Sequence, residues 1–219
     1  MTDCPRQLEP HRRLRGSSGY SPDVNTDSSS ASDHCCVLLA ASAGGVEGLG
    51  TLLGGLSSEL PAFVLVVQHL RRGRETKIVP VLSRRTGLQV KLAQDGEEPR
   101  LGSVYIAPPD QHLCVRTAGK LALTQEAPVK FSRPAADPLF ESAAKAYGSK
   151  TIACVLTGTD GDGTRGITAV KAHGGTVIVQ DPDTAEFHGM PRSAINTGLT
   201  DLVLPLKDIA PTIMRLVRR

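Results

Sequence analysis

Three apolar runs in the chain each lead into a different reactive side chain: VLLAAS stops on Ser42, FVLVVQH on His69, and IACVLTGTDGD reaches Asp162 a few residues past its apolar part. Continuous apolar runs of this length suit strands of a parallel sheet covered on both faces. The carboxyl ends of such strands are where open α/β sheets build their sites. If the three runs are neighbours, a hydroxyl, an imidazole and a carboxylate meet at one rim. That set can perform acyl transfer: the imidazole takes the hydroxyl proton, the carboxylate orients the imidazole, and backbone N–H groups hold the oxyanion.

Each residue taken alone also has a plain structural reading. Ser42 precedes Ala43-Gly44-Gly45, where a strand turning into a helix leaves N–H donors without intrahelical partners, so Ser42 reads either as an N-cap, the commoner use of such a residue, or as a nucleophile beside those donors. The same Gly pair could cradle a phosphate, although the text matches neither G-x-G-x-x-G nor the P-loop pattern. It also lacks the first Gly of a G-x-S-x-G elbow, because Ala40 stands there. The pair Gln68-His69 at the exit of a buried strand needs hydrogen-bond partners, and an imidazole titrating near neutrality suits a general base. The segment TGTDGDGTRG offers two carboxylates. A calcium loop counted from Asp160 fails, because Arg165 stands where the Gly should be and Lys171 where the closing acid should be. Spacing alone does not choose between Asp160 and Asp162, nor between helix capping and orienting His69.

The elements that must position these groups are legible as apolar runs alternating with helix-like stretches. Strands are expected near 36–41, 62–67, 103–107, 151–156, 176–180 and 201–204. Helices are expected over 46–56, 75–86, 138–147, 164–173 and 206–216, with Asp137-Pro138 as a cap and first-turn Pro and Gly174 as a left-handed terminator. LCVRTAGKLALT reads as a hairpin around Ala118-Gly119. The expected fold class is α/β: a doubly wound, mostly parallel, Rossmann-like three-layer sheet with an added antiparallel hairpin.

With 40% hydrophobic residues in 219, the chain can bury one substantial core, and with 3% aromatics and no Trp that core is aliphatic. The same scarcity argues against an aromatic nucleic-acid platform, and a net charge of +3 gives no reason to invoke nucleic acid or membrane partners. Cys4, Cys35, Cys36, Cys114 and Cys154 show no metal or disulfide spacing, which points to reduced thiols and a cytoplasmic location. No run is long enough for a membrane span. Residues 1–34, polar and without apolar period, are expected to be a disordered leader before a single catalytic domain at 35–219.

Taken in order, the motifs resemble the catalytic domain of the chemotaxis-receptor methylesterases of the CheB type. The matching text is AASAGG at 40–45, VVQHL at 66–70, VYIAPP at 104–109, VLTGTDGDG at 155–163, VIVQDP at 177–182 and FHGMPRSAI at 187–195. The resemblance implies Ser42 as nucleophile, His69 as general base and acid, and Asp162 as the orienting carboxylate. It implies hydrolysis of glutamate methyl esters on a methylated chemoreceptor, glutamine deamidation as a side activity, and no cofactor or metal. Two departures stand out. Ala43 replaces a Thr, and Thr159-Asp160 replace Met-Gly, which adds a negative charge near the triad carboxylate. His112 falls where relatives often carry a cleft His, and is expected to be an exposed bystander. No phosphorylatable receiver domain is expected in the leader. Two other readings remain: an esterase on another acyl substrate, and a non-catalytic anion- or nucleotide-binding module.

Overall fold

The computed structural model describes residues 34–70 and 76–218. In chain order the elements are β1 (Cys35–Ala41), α1 (Gly45–Gly54), β2 (Ala62–Gln68), α2 (Ile78–Ser83), β3 (Gln89–Leu92), β4 (Ser103–Ile106), β5 (His112–Val115) and β6 (Leu121–Thr124). They continue as α3 (Ala136–Tyr147), β7 (Thr151–Val155), α4 (Thr164–Ala172), β8 (Thr176–Gln180), α5 (Gly189–Ile195), β9 (Leu202–Leu204) and α6 (Leu206–Leu216).

Seven strands form one sheet in the order β3-β4-β2-β1-β7-β8-β9, and every neighbouring pair is parallel. The apolar runs of β1 and β2 lie at its centre because both of their faces are covered. Cys36, Leu38 and Ala40 point into one cluster with α3, α4 and α5, while Val37, Leu39 and Ala41 point into the other with α1, α2 and α6. That is the alternation a pleated strand imposes. Truncating one of these buried leucines to Ala would cost about 2–5 kcal/mol. After β1 the chain winds outward through β2 to β4, then returns to β7 on the opposite side of β1. The order therefore reverses between β1 and β7, and the crevice beyond their carboxyl ends is the place such sheets reserve for ligands.

The expected hairpin forms, with Gly119 at φ +83° in its turn. It pairs only with itself, as a two-stranded sheet, and is fastened to α3 through the Val115 N–H donating to Ser142 Oγ at 3.0 Å. Edge strand β3 and helix α5 were not expected from the sequence. The expected helix over 75–86 is shorter at both ends, with Glu75 outside the described residues. The expected cap of the helix at 138–147 is corrected: α3 starts at Ala136, and Asp137 lies inside its first turn, buried, accepting the Gly166 N–H at 2.8 Å. The expected leader falls almost wholly outside the described residues.

Candidate active site

Strand register brings the first two reactive groups together. Ala41 is paired with Gln68 across β1 and β2, so Ser42 and His69 each stand one residue beyond the last pair, on adjacent strands. The backbone carries the pairing one step further, with the His69 N–H donating to Ala41 O at 3.2 Å and the Ser42 N–H donating to Thr157 O beyond β7 at 3.0 Å. His69 Nδ1 is 3.0 Å from Ser42 Oγ, and His69 Nε2 is 2.8 Å from Asp162 Oδ2. The hydroxyl, imidazole and carboxylate expected to converge are therefore in one hydrogen-bonded line. The ring uses its nitrogens in the opposite sense to the chymotrypsin arrangement, where Nε2 meets the serine. A base-competent ring here carries its proton on Nε2, toward Asp162, and keeps a lone pair on Nδ1.

Asp162 takes both of the structural parts that the sequence left open, although the helix it caps is α3 and not the one that follows it. Its Oδ2 accepts the Ala136 N–H at 2.6 Å and its Oδ1 the Asp137 N–H at 3.3 Å, at the start of α3. These are orphan donors at the positive end of a helix, a setting that favours a buried carboxylate. Asp162 is only 1% exposed, so partners of this kind are required.

The turn after Ser42 is braced from below. Gln68 Nε2 donates to Ser42 O at 2.7 Å, and Thr157 Oγ1 donates to Ala43 O at 3.0 Å. With both carbonyls captured, planar trans peptides direct the Ala43 and Gly44 N–H groups away from those partners. Neither N–H has an acceptor among the described residues. Gly44, at φ +71°, makes the left-handed entry into α1. Gly158 permits close approach on the other side, because a Cβ there would stand 3.0 Å from the Ser42 Cβ. The segment before α5 closes this wall, with the Gly158 N–H donating to Phe187 O and the Met190 N–H to Gly158 O, each at 2.9 Å. Beside His69 lies a cavity of about 230 Å³ lined by His69, Leu70, Phe131, Ser132, Arg133 and Pro134.

Asp160, expected as an extra charge beside the triad carboxylate, faces the imidazole itself: its Oδ2 is 3.4 Å from His69 Nδ1. Burial alone would lower the His69 pKa, but hydrogen bonds and charge from Asp160 and Asp162 outweigh it and push it up to about 9. For Asp160, burial would raise the carboxyl, yet the bond to His69 and the Asp162 N–H hold it below its ordinary range. Lys130 Nζ donates to Gly161 O on the same loop.

His112 is corrected: it is fully buried, not exposed. Its Nε2 bonds Ala127 O and its Nδ1 accepts the Ala135 N–H, each at 3.2 Å, which fastens the approach to α3 and thus the donors that hold Asp162. Its position after Pro109-Asp110 gave no sign of this. Gln68 and Thr157 were likewise invisible as braces, although Gln68 was marked as needing partners. Among the described residues no cluster of His, Cys, Asp and Glu is arranged to hold a metal, and no helix is long and apolar enough to cross a membrane.

Residues 37–213 match the family model described as CheB methylesterase. A protein-glutamate methylesterase/protein-glutamine glutaminase 1 from Paramagnetospirillum magneticum is 41% identical over 187 residues, covering 84% of this chain and 49% of that protein. A protein of the same activity name from Thermotoga maritima is 41% identical over 184 residues, covering 83% of this chain and 54% of that one. The chain thus spans about half the length of these curated relatives, whereas 93% of a Leptospira interrogans relative, 37% identical, is covered. The crystal structure of the Thermotoga maritima CheB methylesterase catalytic domain superposes with a TM-score of 0.82 at 40% identity, covering 85% of this chain and all of that one. The expected resemblance and fold class both hold, and the chain belongs to the CheB methylesterase family.

Proposed function

We propose that the chain is a serine hydrolase that removes methyl esters from glutamate side chains of a chemoreceptor, with Ser42 as nucleophile, His69 as general base and acid, and Asp162 as the orienting carboxylate. The observation that carries the reading is the continuous line from Ser42 Oγ through His69 to Asp162, at 3.0 and 2.8 Å. Its substrate class, a glutamate methyl ester on a protein, comes from the activity for which relatives about 40% identical are named.

The reaction begins when His69 Nδ1 takes the Ser42 proton as Oγ attacks the γ-carbonyl carbon. The Asp162 carboxylate stabilises the imidazolium through Nε2–H, and the Ala43 and Gly44 N–H groups at the head of α1 are placed to receive the oxyanion. On collapse the ester C–O bond breaks, and methoxide leaves as methanol with the proton from Nδ1. Water, deprotonated by His69, then attacks the glutamyl ester on Ser42 and releases a free glutamate. Glutamine deamidation follows the same steps with ammonia as leaving group.

A fluorophosphonate should attach to Ser42 in the wild type, and His69→Ala should reduce attachment by about 10⁴-fold, since triad members act as a unit. Methanol release from a methylated chemoreceptor, lost in Ser42→Ala, tests the substrate. Adduct formation without methanol release would redirect the assignment to another acyl ester. No adduct at any pH would favour the anion-binding module.

A further inference from the structure

His69 presents two ring nitrogens to two carboxylates and a hydroxyl. We propose that Asp160 is a positioning residue that keeps the His69 ring doubly protonated in the resting protein, and so confines ester hydrolysis to alkaline solution. The inference rests on the serine-hydrolase reading above.

The geometry that carries it is a shared nitrogen. Nδ1 faces Ser42 Oγ at 3.0 Å and Asp160 Oδ2 at 3.4 Å, while Nε2 faces Asp162 Oδ2 at 2.8 Å. An ionised carboxylate only accepts hydrogen bonds, and a neutral imidazole has one N–H to give. With the proton on Nε2, the Nδ1 lone pair confronts the Asp160 oxygen. With it on Nδ1, the Nε2 lone pair confronts Asp162. Only the imidazolium offers an N–H to both. Asp160 is not free to swing away without loss, because its Oδ1 accepts the Asp162 N–H at 2.9 Å, which turns Oδ2 toward the ring.

The other charges around the ring do not cancel this pair. From the approach to α3, Lys130 is bound to Gly161 O, and Arg133 pairs with Asp110 at 2.8 Å. From α3 itself, buried Asp137 lies on the Asp162 side, and Arg165 of α4, the cation that acts on both carboxylates, is paired with Glu141. From the segment before α5, Glu186 stands over Gly44, where an added Cβ would meet its Oε2 at 2.7 Å. Among the described residues the surroundings are therefore net acidic, in keeping with a ring held protonated to about pH 9. The arrangement acts in both directions. Asp160 withholds the Nδ1 lone pair that Ser42 needs, but it also stabilises the imidazolium that forms as Ser42 attacks.

The test is the pH dependence of fluorophosphonate labelling and of methyl-ester hydrolysis for wild type and Asp160→Asn, an isosteric change that keeps an acceptor for the Asp162 N–H. The wild-type rate should climb through a midpoint near 9. In Asp160→Asn the midpoint should fall by about one pH unit or more, and the alkaline plateau should drop as the imidazolium loses a partner. A purely structural role would lower the rate without moving the midpoint. In parallel, the His69 ring resonances are titrated by NMR in Ser42→Ala protein with and without Asp160→Asn. The same displacement is expected there, and it needs no turnover. A wild-type midpoint near neutrality, or one unmoved by the substitution in the NMR titration, overturns the proposal. If the NMR midpoint moves but no adduct forms at any pH, the charge pairing stands and the hydrolase reading falls.

Discussion

At the scale of single residues, the Asp162 carboxylate divides its oxygens between chemistry and folding. Oδ2 serves the His69 ring and the Ala136 N–H together, and Oδ1 serves Asp137. An asparagine could satisfy only part of this set, because its NH₂ would face a donor wherever it pointed. Asp162→Asn should therefore lower hydrolysis by about 10⁴-fold, as expected for loss of the charge beside an imidazolium. It should also cost about 1 kcal/mol of stability from the mismatched cap, a pairing of effects read by turnover and denaturant melts on the same samples. The ring beside it makes its own contribution to stability. Its folded pKa of about 9 lies above the ordinary 6.5, so its stabilisation is fully present below pH 6.5 and is lost as the pH rises through 9. The amount is on the order of 3 kcal/mol at most. Melting curves of wild type and His69→Ala should thus converge toward alkaline pH and separate below neutrality.

Among the elements, the junction between β2 and α1 is the most tightly fitted. Gly45 is not in a left-handed conformation. It is glycine because the buried Gln68 Oε1, which has no hydrogen-bond partner among the described residues, occupies the space a Cβ would need. Gly45→Ala should displace Gln68, release Ser42 O and cost about 1–3 kcal/mol of overpacking. Fluorophosphonate labelling of Ser42 should fall with it, and a variant that labels at the wild-type rate would refute the bracing role of Gln68. Such fits explain which elements could be read in advance. β1, β2, β7 and β8 announced themselves because both faces are buried and nearly every residue is apolar. β3 did not, since Gln89–Leu92 is a half-buried edge strand whose two polar and two apolar residues carry too little periodicity. α5 hid behind Gly189 and Pro191, which read as loop residues. The start of α3 was misplaced because Asp137-Pro138 is a good local cap, and a tertiary acceptor 25 residues away displaced it.

For the whole molecule, a mostly parallel α/β sheet was implied by alternation of element types, but the meeting of Ser42, His69 and Asp162 follows from strand order and register, which no single segment encodes. The motif order supplied that missing information by resemblance, and the fold supplies it by pairing Ala41 with Gln68 and Ala40 with Val155. Asp160 could be noticed in the text as an added charge, whereas its aim at His69 depends on how the loop after β7 folds back. That late arrival of β7 has a consequence for synthesis. The imidazole and its acid partner are 93 positions apart in the chain, so a ribosome-bound fragment ending before the central sheet closes carries an ordinary, unreactive alcohol at position 42. On the nucleophilic role proposed for Ser42, acyl groups met during translation would be left untouched until the architecture itself is complete.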